Sequence, residues 1–379
     1  MRTRAWRQLM MVSARMLGLV LTLLLALPPS AAAEDWSPLF PEGESLDWKQ
    51  LVARLSATQV GGDATDPRSV DLVLPAGAWR RLPAADLEPG TRRLAGFVRP
   101  GGEAMVKVEV IRHRLEDEVE ASDWLLALLV RSGVTVLLAR PAQGATGQVF
   151  EALGLIPGRT QEGPRRLLRA SVSRQGRDLL VVRCLASPEE FADLAPAFAA
   201  STLLLRPKQV QPESLVGEWS EECLAGGICL RGPGQGQRSG LPGGGQGQEM
   251  AFSLVRQGVL GGRLVAELVE DSDLAAASPA ARLSRLQQRL ADDGLDLTWS
   301  WSGMAVSLPH LPGKACLYQG RASRAGRDAE CQVLIWSDGR RALTLWLAGV
   351  GQVSNLPFWL VNRRAFNLAC AGLRSAAGR

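Results

Sequence analysis

Leu167 to Leu185 reads LLRASVSRQGRDLLVVRCL. Two apolar runs flank Gln175-Gly176, and glycine relieves a tight reversal. The stretch is predicted to be a hairpin of strands Leu167–Ser173 and Leu179–Leu185. A capped helix follows directly. Ser187-Pro-Glu-Glu190 carries a capping serine, a proline suited to the first helical position and the glutamate of a capping box. Phe191, Leu194, Ala195 and Phe198 then form one apolar stripe, and Pro196 is expected to kink the helix.

The hexapeptide Ser173-Arg-Gln-Gly-Arg-Asp178 is echoed by Ser323-Arg-Ala-Gly-Arg-Asp328. Each echo is followed by strand and then by a closing helix that runs into arginine, Arg206 or Arg374. The halves are therefore candidates for divergent duplicates.

Helix starts in the first half are expected at Ser45-Leu-Asp-Trp48, with Trp48, Leu51, Val52 and Leu55 on one stripe, and at Ser122-Asp123, closed by Gly133. A short third helix is expected from Thr146, with Val149, Phe150 and Leu153 inward and Gly154 as its stop. Strands are expected at Ala104–Ile111 and Val134–Ala139. In the second half, strands are expected at Met250–Arg256, Arg263–Glu270, Leu295–Trp301, Cys316–Arg321, Ala329–Trp336 and Ala342–Leu347. Helices open at Ser278-Pro279 and near Pro357. Sheets with helices on their faces make an α+β protein of two antiparallel-sheet domains. That order resembles Mog1/PsbP-like domains in general look, and no motif assigns the chain to that family.

The proline-punctuated stretch 207–214 reads as the linker between an N-terminal domain, 34–206, and a C-terminal domain, 215–379. Ahead of them, Arg2, Arg4, Arg7 and Arg15 precede an apolar run from Met16 to Leu27, then Pro28-Pro29 and Ala31-Ala-Ala33. This is the pattern of a cleaved signal peptide over 1–33. Twelve apolar residues fall short of the roughly 20 that span a bilayer. Cleavage removes four arginines and no acid, taking the formal charge from +5 to +1. Nucleic acid thereby loses its electrostatic argument as a partner. The expected location is periplasmic or secreted.

Six cysteines in an oxidising compartment read as disulfides. Cys223–Cys229 spans a glycine-bearing reversal, Cys316–Cys331 flanks the second echoed turn, and Cys184–Cys370 is left by elimination. The glycine-rich loop 231–247 carries no phosphate-loop spacing and reads as slack chain.

Catalytic constellations are sparse. His113 and His310 are the two histidines, and neither sits in a partner motif. Serine-elbow, zinc-helix and C-x-x-C spacings are absent, and no residue is assigned to catalysis, a cofactor or a metal. The acidic run Glu116, Asp117, Glu118, Glu120 reads as a solvated approach to the Trp124 helix, favoured by its dipole. Trp299 and Trp301 share one strand face and are expected to pack there. The sharper surface hypothesis is the arginine set Arg159, Arg165, Arg166, Arg169, Arg174, Arg177 and Arg183. Strand alternation is expected to carry several of these to one exposed face that docks an anionic partner. The expected function is an exported, non-catalytic binding or scaffolding protein of the cell envelope with a protein partner. Two rivals are a peripheral membrane or lipid-binding protein using the arginine face, and a carboxylate-dependent hydrolase of a wall or sugar polymer.

Overall fold

The computed structural model describes residues 35–61, 69–100, 105–145, 147–158, 165–212, 214–234, 236–240, 247–270, 277–292, 299–324 and 327–376. The expected signal peptide, Arg159 and Thr146 lie outside them. The architecture is α+β, with four antiparallel sheets divided between two compact units. One unit holds Ala121–Ser214 and the chain before Asp117; the other holds Leu215 onward together with Asp117–Glu120.

In the first unit α1 (Trp48–Val52) leads to β1 (Leu55–Val60), β2 (Val70–Pro75), β3 (Arg80–Leu82), β4 (Ala85–Glu88), β5 (Thr91–Arg99) and β6 (Val106–Arg114). Then come α2 (Ala121–Arg131), β7 (Thr135–Gly144), β8 (Gly147–Ile156), β9 (Arg166–Gln175), β10 (Asp178–Ala186), α3 (Pro188–Leu203) and β11 (Arg206–Pro207). The large sheet runs β3-β5-β6-β10-β9-β8-β7 with β4 beside β5, and a small sheet runs β1-β2-β11. The expected hairpin is β9–β10, with Gly176 at φ 59°. Ser187 caps α3 and donates to Glu190 Oε2 at 2.9 Å. Phe191 and Phe198 meet edge to face at 5.3 Å over a core that includes Leu72, Val108, Leu180 and Val182.

The second unit has β12 (Trp219–Cys223), β13 (Ile228–Pro233), β14 (Gln237–Gly240), β15 (Gly247–Arg256), β16 (Val259–Val269), α4 (Pro279–Asp292) and β17 (Ser300–Val306). It continues with β18 (Lys314–Arg324), β19 (Arg327–Ser337), β20 (Ala342–Val350), α5 (Leu356–Gly372) and β21 (Arg374–Ser375). Its large sheet runs β14-β15-β16-β20-β19-β18-β17 and its small sheet β12-β13-β21. Apart from β4, which has no counterpart here, this is the connectivity of the first unit. The echoed hexapeptides do not mark it. Ser173–Asp178 turns β9 into β10, whose counterparts are β19 and β20, whereas Ser323–Asp328 belongs to β18–β19.

Two helix expectations change. Asp47, rather than Ser45, caps α1, accepting from Lys49 N and Gln50 N; Val52 is 66 % exposed and Leu55 already starts β1. Residues 147–156 form β8, not a helix. β8 is flanked by β7 and β9 with both faces covered, and a strand buried on both faces loses its period of two and reads like buried helix.

The glycine-rich loop is also corrected where it is described. Gly232 lies in β13 and Gln237–Gly240 is β14, hydrogen-bonded to β15. A Cβ on Gly232 would sit 2.3 Å from the Phe252 ring, so this glycine makes room for an aromatic seat.

Cys223 and Cys229 face each other in the β12–β13 register and are bonded, with S–S 1.99 Å. The other two expected bridges are absent, and Cys184, Cys316, Cys331 and Cys370 are free. In the β18–β19 register Cys316 pairs with Ile335 and Cys331 with Gly320. Four rungs separate them, about 13 Å at the rise of a strand, beyond disulfide reach. Cys184 is enclosed in the first unit's core, where burial pushes its thiol up to about 12.

Candidate functional site

Of the expected arginine face, Arg166 and Arg174 of β9 and Arg183 of β10, which stands opposite Ala170, share one face and are half-buried, while Arg169 lies on the other, because eight residues preserve strand parity and three reverse it. Arg169 is fully buried beneath α3. It pairs with Glu151 through two nitrogens, donates to Thr202 Oγ1 at 3.1 Å and Pro41 O at 3.1 Å, and lies 4.7 Å from the Phe40 ring centre. Burial lowers its pKa and Glu151 raises it, burial prevailing. Arg174 donates to Gly176 O and Ser214 O, and Arg183 to Glu109 Oε2 at 2.9 Å. Arg165 and Arg177 remain exposed. Alternation alone could not foresee Glu151 and Glu109 as partners, which come from strands 18 and 74 residues away.

The groups that sequence offered for acid–base work have structural engagements. His113 shares a 2.7 Å hydrogen bond with Thr91 Oγ1 and packs on Trp124 with ring centres 4.7 Å apart. Burial lowers its pKa against the pull of Glu88, Glu116 and Asp178, favouring the neutral ring. Of the acidic run expected to be solvated, Glu116 is exposed and the other three acids are paired. Asp117 accepts from Arg256 at 2.6 Å, Glu118 from Val216 N at 2.6 Å and Arg364 Nε at 3.0 Å, and Glu120 from Arg364 at 2.7 Å. Trp299 and Trp301 stack at 5.6 Å beside Leu286 and Leu290 of α4, and Trp301 covers Gly320. Glu221, Cys223 and Cys229 bring three ligand-type atoms within 4.8 Å, but the disulfide occupies both sulfurs and Arg374 binds the carboxylate.

A different arginine group is brought together at the end of β5 and β6. An open cleft of about 440 Å³ is lined by Asp86, Leu87, Glu88, Gly90, Arg92, Arg112 and Arg114, among others. The Pro89-Gly90 turn, with Gly90 at φ 74°, closes the β4–β5 hairpin. Arg112 and Arg114 are two apart on β6 and share a face. Arg92 stands directly opposite Arg112 in the register. Like charges directly opposed across strands are destabilising, by about 0.2–1 kcal/mol. Asp86 lies 3.8 Å from Arg92 with both side chains largely exposed, and Glu88 lies 3.4 Å from Arg131. Among the described residues, Arg112 and Arg114 have no side-chain partner. The signal in the sequence was Ile111-Arg-His-Arg114 at the end of an alternating strand, but β5 went unread, so its opposing arginine was invisible.

No family model matches the chain, and no curated protein matches it. Among solved structures it is similar to PsbP from the cyanobacterium Synechocystis, at TM-score 0.30 and 11% identity over 40% of this chain and 92% of that one. It is also similar to the T6SS immunity protein TplEi of Pseudomonas aeruginosa. The apo form gives TM-score 0.23 and 11% identity over 74% of this chain and 94% of that one. The complex with "L" peptide gives 0.23 and 10% over 81% and 95%.

Proposed function

We propose that the protein is an exported, non-catalytic binding protein of the cell envelope, and that the Arg92–Arg112–Arg114 cleft is its working surface. The observation that carries this reading is that Arg112 and Arg114, without a side-chain partner among the described residues, stand beside Arg92 at an open cleft, where Asp86 offsets Arg92 alone. Like charge gathered in one place, with a carboxylate for one of its three arginines, is what a site kept for an anionic partner looks like. Of the acidic run Glu116–Glu120 that a hydrolase would draw on, Asp117, Glu118 and Glu120 are held by Arg256 and Arg364 and Glu116 stays exposed, which leaves the run a poor source of a carboxylate pair. The Cys223–Cys229 bridge is compatible with an oxidising compartment. Among the described residues no helix is long and apolar enough to cross a membrane.

Two measurements test the reading. A phosphatase reporter that works only after export, fused behind the first forty residues, is expected to be active; an inactive fusion removes the export claim. A photo-crosslinker at Leu87, on the lip of the cleft, is expected to give one saturable adduct in native envelopes. The adduct should disappear in the Arg112→Gln/Arg114→Gln variant, and an adduct indifferent to that change ends the assignment of the cleft.

A further inference from the structure

Three arginines line one depression, and their number and placement select among anions. Arg112 and Arg114 are separated by two residues of strand, about 7 Å, and Arg92 stands across from Arg112 at ladder spacing. A planar carboxylate offers two oxygens, which one arginine fork satisfies. A tetrahedral phosphate offers three or four oxygens in different directions and can accept from several forks together. Its charge of up to two also relieves the Arg92–Arg112 repulsion, which a single carboxylate does only in part. We propose that this cleft binds a phosphate group. The proposal rests on the reading of the cleft as the binding surface.

The acidic neighbours do not close the site. Asp86 and Glu88 line the cleft, but Asp86 pairs with Arg92 and Glu88 with Arg131 and Thr91. Asp178 stands opposite Arg114 in the β6–β10 register without an ion pair to it. Arg112 and Arg114 therefore supply the uncompensated charge. The cleft is open, and Leu87 stands 48 % exposed at its edge. A free phosphate monoester and a monoester lipid headgroup, as in phosphatidic acid, both satisfy this chemistry.

The test follows the arginine Nε–H signals of the full mature protein by NMR during titration with inorganic phosphate and with glycerol 3-phosphate. Vesicles of phosphatidic acid in phosphatidylcholine form a parallel arm. Saturable shifts confined to Arg92, Arg112 and Arg114 are expected, with affinity at least about tenfold weaker in Arg112→Gln/Arg114→Gln and unchanged in Arg285→Gln. Phosphate-ester binding without vesicle binding assigns a soluble ligand. Vesicle binding that glycerol 3-phosphate competes away, and the double variant loses, assigns a headgroup. Arg114→Lys keeps the charge and loses the fork, so a several-fold weakening is expected there even if the double variant folds poorly. Equal phosphate affinity in parent and variants overturns the proposal. Shifts of the same signals with a glutamate peptide but not with phosphate overturn the phosphate chemistry and leave the binding surface standing. No response to phosphate, vesicles or peptide removes both.

Discussion

The first unit encloses a guanidinium where the second encloses a carboxylate. Beneath α3, Arg169 on β9 is matched by Glu151, with Thr202 as a second acceptor. Beneath α5, on the corresponding strand β19, Glu330 is 7 % exposed. It accepts from Gln319 and Trp359 Nε1, each at 2.7 Å. The other sheet faces differ as well. Glu109 on β6 meets Lys107 at 2.8 Å, Arg183 at 2.9 Å and Arg93 at 3.4 Å. On β15 and β16, Glu249 and Glu267 stand opposite one another and share Arg289 from α4. One connectivity thus tolerates opposite charge arrangements, because the backbone ladder needs no particular side chain. Each buried charge needs only a local partner.

The largest expected effect lies in the guanidinium. Arg169→Met removes the partner that holds buried Glu151 through two nitrogens, leaving it Arg140 at 3.7 Å, and is expected to cost about 3–5 kcal/mol. Glu330→Gln, which keeps shape and some acceptor capacity, should cost about 1.5–3 kcal/mol. Urea unfolding decides, and a larger loss at Glu330 breaks the contrast.

Next come the packed glycines. A Cβ on Gly261 of β16 would lie 1.9 Å from the Phe358 ring, while one on Gly96 of β5 meets Leu82 at 3.2 Å. Gly261→Ala is expected to lose about 1–3 kcal/mol by overpacking, and Gly96→Ala less. Equal melting temperatures for the two variants would contradict this ordering. Replacing Cys223 and Cys229 by serine opens a very short loop, so a loss at the lower end of about 2–4 kcal/mol is expected. Reductant should lower the parent's stability similarly and leave the serine variant unaffected.

The two carboxylate settings predict opposite pH trends. Burial pushes the Glu109 carboxyl up, but Lys107 and Arg183 together outweigh it, leaving its pKa below the usual value. Its stabilising contribution is present above the unfolded carboxylate pKa and is lost as pH falls through the folded one. Burial pushes Glu267 up despite Trp346 and Arg289, with Glu249 adding to the rise. Its contribution is present below the unfolded pKa and is lost as pH rises through the folded value. Glu109→Gln should therefore hurt more at pH 7 than at pH 4, and Glu267→Gln the reverse. Parallel pH profiles from denaturant titrations would refute the assignment. The smallest effect is expected at the cleft, where Arg112→Gln should raise stability by about 0.2–1 kcal/mol by removing the opposed charge; a fall in melting temperature would show an unrecognised partner.

Much of the element list was legible locally. The α3 capping box, the β9–β10 turn and strands β15, β16, β18, β19 and β20 are written in short-range patterns that need only their own neighbours. β8 was not, because coverage of both faces erases alternation. Of the strands before β6, which the sequence patterns did not yield, β3 and β4 are only three and four residues long and polar, and the nine-residue β5 is buried through its centre, so its alternation is lost. The cleft was not legible: Arg112 and Arg114 flank His113 in the sequence, and their significance depends on Arg92 across the ladder. The glycines at 232 and 261 look like slack in one dimension and prove to be places where Phe252 and Phe358 lie against the backbone.

The amino-acid sequence by itself determined the α+β class, the hairpins with glycine turns, the helix caps and the Cys223–Cys229 bridge. Each depends on residues a few positions apart, whose backbone preferences act before any long-range contact forms. Tertiary structure alone decided that the two units share one connectivity, that Arg169 is buried, that four cysteines stay free and that Arg92 opposes Arg112. Those outcomes depend on register and sheet order, and a shift of a single residue in register carries a side chain from core to solvent.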